Sequence, residues 1–108
     1  MRIAQVVGVV VLSRVHPSLS GGAFKLVVPL RTEDLKEIDG VDLNQRSSSA
    51  TPVPAESWEE FVVYDSMGAG EGQFVGVSEG REALNPFYPD VKPIDAYNAL
   101  ILDKAFLS

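Results

Sequence analysis

Apolar positions along this chain come in short runs, each bounded by residues that favour turns, and this rhythm predicts strands. Ile3 to Ser13 is nearly continuous in apolar, β-branched residues, as expected of a strand covered on both faces. Gly8 inside it predicts a bulge or a close backbone approach. His16 to Gly22 is a turn by composition. Ala23 to Leu30 then alternates, with Phe24, Leu26 and Val28 on one face and Lys25 and Val27 on the other, until Pro29 ends the strand. Trp58 to Asp65 alternates again, with Phe61 and Val63 on one face and Trp58, Val62 and Tyr64 on the other. A glycine-rich turn, Ser66 to Gly72, leads into a fourth strand from Gln73 to Ser78. Gly80 to Asn85 predicts a single helical turn, Pro86 to Pro93 a loop, and Ile94 to Leu107 a last apolar segment. The alternating runs predict a core that includes Val7, Val10, Leu26, Val28, Phe61, Val63, Val75 and Leu100.

Between the second and third strands the chain changes character. Glu33, Asp34, Glu37, Asp39 and Asp42 make it acidic, while Leu35 and Ile38 form one apolar face of a short helix started by Thr32. Asn44 to Ser57 is rich in Ser, Pro and Ala and has almost nothing to bury, which predicts a flexible surface loop at 44–57. Five strands with no βαβ rhythm and no internal repeat point to an all-β fold. A small five-stranded, closed or nearly closed β-barrel with one or two short helical turns is how such a chain protects its strand edges. The 108 residues suit one domain, 1–108.

Composition narrows the function. A hydrophobic share of 45% supports a buried core, and a charged share of 22% is too small for a disordered chain. The formal charge of -6 and the scattered basic residues disfavour binding to phosphate backbones. With no cysteine there is neither a disulfide framework nor a thiolate metal site. The apolar run Val6 to Leu12 is short of the roughly 20 residues a membrane span needs. It is followed by no cleavage-site pattern, so it is read as structure.

Candidate chemistry is thin. Gly68-Ala69-Gly70-Glu71-Gly72 invites comparison with phosphate-binding loops, but it leads into a strand, lacks a following Lys-Ser/Thr and carries Glu71 inside it. Its simpler reading is a turn that needs positive φ or close backbone approach. The single histidine, His16, sits beside Pro17 in a turn and is read as a solvated surface residue. Ser47, Ser48 and Ser49 have no nearby base. Asp65, Glu71, Asp95 and Asp103 are acid–base candidates only in the sense that any acidic surface offers some. Trp58, Tyr64, Phe74 and Tyr97 are a stacking platform or, more simply at this charge, core and interface packing.

Three stretches together resemble the vertex-protein family of bacterial microcompartments, the EutN/CcmL type. The first comprises Gly8-Val9-Val10-Val11, Pro17-Ser18-Leu19-Ser20-Gly21 and Leu26-Val27-Val28-Pro29-Leu30. The second is Asp65-Ser66-Met67-Gly68-Ala69-Gly70-Glu71-Gly72, and the third runs from Pro93-Ile94-Asp95-Ala96 to Ile101-Leu102-Asp103. The resemblance implies an OB-like barrel without catalytic activity or cofactor. It implies a homopentamer that caps shell vertices among hexameric and trimeric shell proteins, within a compartment in the cytoplasm, with neither nucleic acid nor membrane as partner. It also implies that Gly68, Ala69, Gly70, Glu71 and Gly72 lie at a subunit interface or the axial opening. The chain departs from the family pattern at Val15, where a basic residue is common, and at Gln73, where an acidic one is. Gly76 replaces a bulkier apolar residue, and the 31–57 region is longer than usual. Two alternatives belong to other classes: an OB-like module for single-stranded nucleic acid or a small ligand, and a small carboxylate enzyme.

Overall fold

The computed structural model describes residues 1–40, 42–43, 60–88, 92, 94–104 and 106, without the side chains of 81, 82 and 84. The predicted loop at 44–57 lies outside the described residues. Five strands form a closed barrel: β1 (Arg2–Val10), β2 (Ala23–Pro29), β3 (Phe61–Asp65), β4 (Phe74–Glu79) and β5 (Ala96–Ile101). Their order around the wall is β1-β2-β3-β5-β4, and β4 returns to pair with β1. All neighbours are antiparallel except β3 and β5. Closure leaves no continuous free edge, which is how β-rich chains avoid edge-to-edge aggregation.

Alternation explains the interior. Ala4 and Val6 from β1, Val27 from β2, Val63 from β3, Val75 and Val77 from β4 and Ala96 from β5 form one buried cluster, with Phe61 and Ile101 packed against it. Burial of each valine there contributes roughly 1.5–3 kcal/mol relative to exposure. Val28, Val63 and Val75 are buried as predicted, and Phe61 is half-buried. Val7, Val10, Leu26 and Leu100 are not in this core. Two bulges account for Val7 and Leu100. Val6 pairs with Val27 and Gly8 with Leu26, so Val7 is an extra residue in β1. Asn98 pairs with Val77 and Leu100 with Gly76, so Ala99 is extra in β5. A one-residue insertion flips every later side chain, and Ile101 therefore faces the core while Leu100 faces out. Leu26 and Val10 are half-buried, on the face of their strands opposite Val27 and Lys25.

The acidic segment packs on the barrel wall. A one-turn helix, α1 (Thr32–Leu35), runs into a 3-10 turn at Lys36–Ile38. Asp34 secures the start of α1, accepting from the Arg31 backbone N–H at 2.9 Å and from the Arg31 guanidinium at 3.0 and 3.3 Å. Ile38, Leu43 and Phe74 then form a second buried cluster, flanked by Leu30, Leu35 and Leu102. Leu35 and Ile38 thus do face one apolar surface. The helical stretch after β4 is longer than the predicted single turn. It is a 3-10 helix from Gly80 to Phe87 with Pro86 inside it.

Candidate functional site

Ser66–Gly72 joins β3 to β4 at one end of the barrel, and its shape is built by side chains from the flanking strands. Asp65, the last residue of β3, is buried and accepts three hydrogen bonds: Met67 N–H at 3.0 Å and Asn98 Nδ2 at 2.9 Å on one oxygen, and Ala69 N–H at 2.8 Å on the other. Gln73 Oε1 accepts from Gly70 N–H at 2.7 Å. From β1, Gln5 Nε2 donates to the Gly72 carbonyl at 3.3 Å, while Gly72 N–H donates to the Val6 carbonyl at 2.8 Å. Ala69, only 1% exposed, drops its methyl into the barrel core. Gly68 and Gly72 have φ of +83° and +87°, where a side chain is strained. The turn is therefore a preformed rim, with Gly68, Gly70 and Glu71 exposed.

Polar capture of this kind lets a carboxylate be buried in a small barrel. A buried charge needs donors, and two backbone N–H groups plus an amide supply them. Sequence reasoning placed Asp65 in the motif but missed Gln5 and Asn98. Their signal is a polar residue inside an otherwise apolar strand, at Gln5 in β1 and Asn98 in β5.

A different surface lies at the β1–β2 connection. Val11 is 89% exposed, and Val9, Leu12 and Val15 are exposed as well. Beside them is a shallow groove of about 210 Å³ lined by Val10, Leu12, Val15, Leu19, Gly22 and Phe24. Gly22 makes the neighbouring packing possible, since a Cβ there would sit 2.2 Å from the Tyr64 ring. Tyr64 meets Phe24 and Phe87 edge-on at 5.7 and 5.8 Å and stacks on Tyr97 at 6.4 Å. Lys92 donates to the Ser18 carbonyl and lies 5.0 Å from the centre of the Phe87 ring.

The other candidates stay apart. Tyr64, stacked on half-buried Tyr97, and Phe74, in the second cluster, are buried in different places, so these three form no open platform; Trp58 lies outside the described residues. His16 is exposed, and its Nδ1 accepts from Ser18 N–H at 3.2 Å, capping the 3-10 turn Pro17–Leu19. Glu71, Asp95 and Asp103 are exposed, apart from buried Asp65. Ser47, Ser48 and Ser49 lie outside the described residues. Among the described residues no cluster of three or more His, Asp or Glu could hold a metal, and no helix is long and apolar enough to cross a membrane.

Strand order and closure define a small five-stranded OB-like barrel, with a pinned β3–β4 turn at one end and an apolar connection on its side. The chain belongs to the family described as "Ethanolamine utilisation protein EutN/carboxysome", whose profile matches residues 1–103. Among solved structures, the chain is similar to the GrpN pentameric microcompartment shell protein from Rhodospirillum rubrum, at 27% identity and TM-score 0.67 over 100% of both chains. It is similar to CcmL of Gloeobacter violaceus at 26% identity and TM-score 0.69, covering 99% of this chain and 90% of that one. The EutN protein from Escherichia coli shares the fold, at 20% identity and TM-score 0.68 over 99% of this chain and 89% of that one. No curated protein matches the chain at a significant level.

Proposed function

We propose that this chain is a structural shell protein that closes into a homopentamer and caps the vertices of a bacterial microcompartment in the cytoplasm. The observation that carries this reading is the family match over residues 1–103, joined to end-to-end correspondence with a pentameric shell protein. The geometry supports it. A cyclic ring uses one heterologous interface repeated until it closes, and the apolar residues around Val11 leave each subunit with surface to bury. A flat sheet of hexagonal tiles cannot close without fivefold points, so a shell needs a subunit of this symmetry.

In this reading the chain carries no catalytic activity and works as one domain, 1–108, with a dispensable loop at 44–57. Its neighbours are hexameric and trimeric shell proteins, with no nucleic acid or membrane among them. Gly68, Ala69, Gly70, Glu71 and Gly72 stand at the subunit interface or axial opening. Ala69 serves there from inside its own barrel, while the exposed Gly68, Gly70 and Glu71 meet the neighbour or the opening. The charge of -6 and the burial of Tyr64 and Phe74 weigh against the nucleic-acid alternative. Co-expression with matching hexameric shell proteins tests the role. Closed particles are expected with this chain and open or elongated shells without it. Closed, sealed particles in its absence would contradict the role.

A further inference from the structure

The wall of the barrel is uneven. Among the described residues β1 and β2 pair at six positions, whereas β3 and β5, the one parallel seam, pair at Tyr64–Tyr97 alone. A barrel needs all its strands joined, so side chains must strengthen that seam. On the outside, the Tyr64 and Tyr97 rings stack with an interplanar angle of 28°. On the inside, one residue further along both strands, Asn98 Nδ2 donates to Asp65 Oδ1 at 2.9 Å, and both residues are at most 2% exposed. Asp65 is also the residue that captures Met67 N–H and Ala69 N–H. We propose that Asn98 is a positioning residue: through Asp65 it clasps the thin β3–β5 seam and sets the shape of the Ser66–Gly72 turn within each subunit.

The orientation of the amide follows from chemistry. An ionised carboxylate only accepts, so the NH2 of Asn98 must face it. The amide oxygen, Asn98 Oδ1, is buried and has no hydrogen-bond partner among the described residues. That cost offsets much of what the bond to Asp65 contributes. Asn98 therefore adds little net stability, and an apolar residue of similar shape would fill the space at little loss. What it supplies is direction. Its bond sets the rotation of the Asp65 carboxylate so that one oxygen meets Met67 N–H and the other Ala69 N–H. Without it, Asp65 keeps two backbone donors but loses the contact that ties it across the seam.

This role belongs to the single subunit, and comparing parent and variant at equal oligomeric state, checked by native mass, separates its failure from failure of the vertex reading. The test is hydrogen exchange by mass spectrometry on the intact full-length protein and its Asn98→Leu variant. Exchange in 66–72 should accelerate by at least about tenfold, since hydrogen bonds to charged groups are the stronger ones. Exchange in 2–10 should stay unchanged and the thermal midpoint should move by no more than about 3 °C. Unchanged exchange in 66–72, or equal acceleration in both segments with a lowered midpoint, would overturn the proposal. Should the leucine variant not fold, Asn98→Ser decides, because its shorter side chain cannot span the 2.9 Å bond to Asp65. Acceleration in 66–72 well beyond that in 2–10 supports the proposal, and equal acceleration in both segments, or none, contradicts it.

Discussion

The chain contains two glycine-bearing turns of similar length, His16–Gly22 and Ser66–Gly72, and the fold treats them differently. The first is held mainly by near-neighbour bonds: His16 caps its own turn, and Leu19 N–H donates to the His16 carbonyl at 2.9 Å. The exposed apolar residues Val11, Leu12 and Val15 lie just before it. The second is held by Asp65 of β3, Gln5 of β1 and Gln73 just before β4, and inserts Ala69 into the core. One turn finishes its structure within the subunit, and the other adjoins surface that a second copy would cover. A preformed turn and an exposed apolar surface thus stand at separate points of one small barrel.

The largest effect should come from Asp65→Ala. It strands Met67 N–H, Ala69 N–H and Asn98 Nδ2 inside the barrel and should cost about 3–4 kcal/mol, read by chemical denaturation. A loss under about 1 kcal/mol would mean that the second turn is not built as described. Next is the pair Val11→Asp with Leu12→Asp. These exposed positions should change subunit stability by under about 0.5 kcal/mol each but abolish association. Circular dichroism should match the parent while sedimentation shifts to the single subunit. An intact oligomer would move the interface away from the first turn.

The smallest effect lies outside both turns. The guanidinium of Arg31, hydrogen-bonded to Asp34, holds its carboxyl below the ordinary value of 3.8, although burial works against this. A depressed carboxylate contributes stability above its ordinary pKa and loses it as pH falls through the lowered value. The contribution is therefore complete at pH 5 and above and fades below about pH 4. Because Arg31 is more than half exposed, the pair adds at most about 1 kcal/mol. Asp34→Asn should narrow the stability gap between pH 6 and pH 3 by that amount, and an unchanged gap would remove the pair from the account.

Much of the barrel was legible because strands advertise themselves by alternation. Four of the expected strands appear within a few residues of their places, the last, expected over Ile94–Leu107, is the shorter Ala96–Ile101, and Gly8 correctly marked the bulge in β1. Side-chain direction beyond a bulge was not legible. Nothing in Ala96–Ile101 shows that Ala99 is an extra residue, so Leu100 was assigned inward although it faces out and Ile101 takes the core position. Leu35 and Ile38 were legible as an apolar face, but their partners Phe74 and Leu102 come from across the fold. In the turn, the need for positive φ was visible in the glycines. The bonds that hold it join residues up to 67 positions apart, as Gln5 to Gly72 does, and no local pattern encodes them.

The central claim is a closed ring of five, and native mass measurement of the full-length protein tests it most directly. Each subunit weighs 11.7 kDa, so a single species near five times that mass, about 58 kDa, is the predicted result. It should persist on dilution, as a closed ring does when every subunit is held on two sides. A monomer, a dimer or a hexamer as the dominant species would contradict the account.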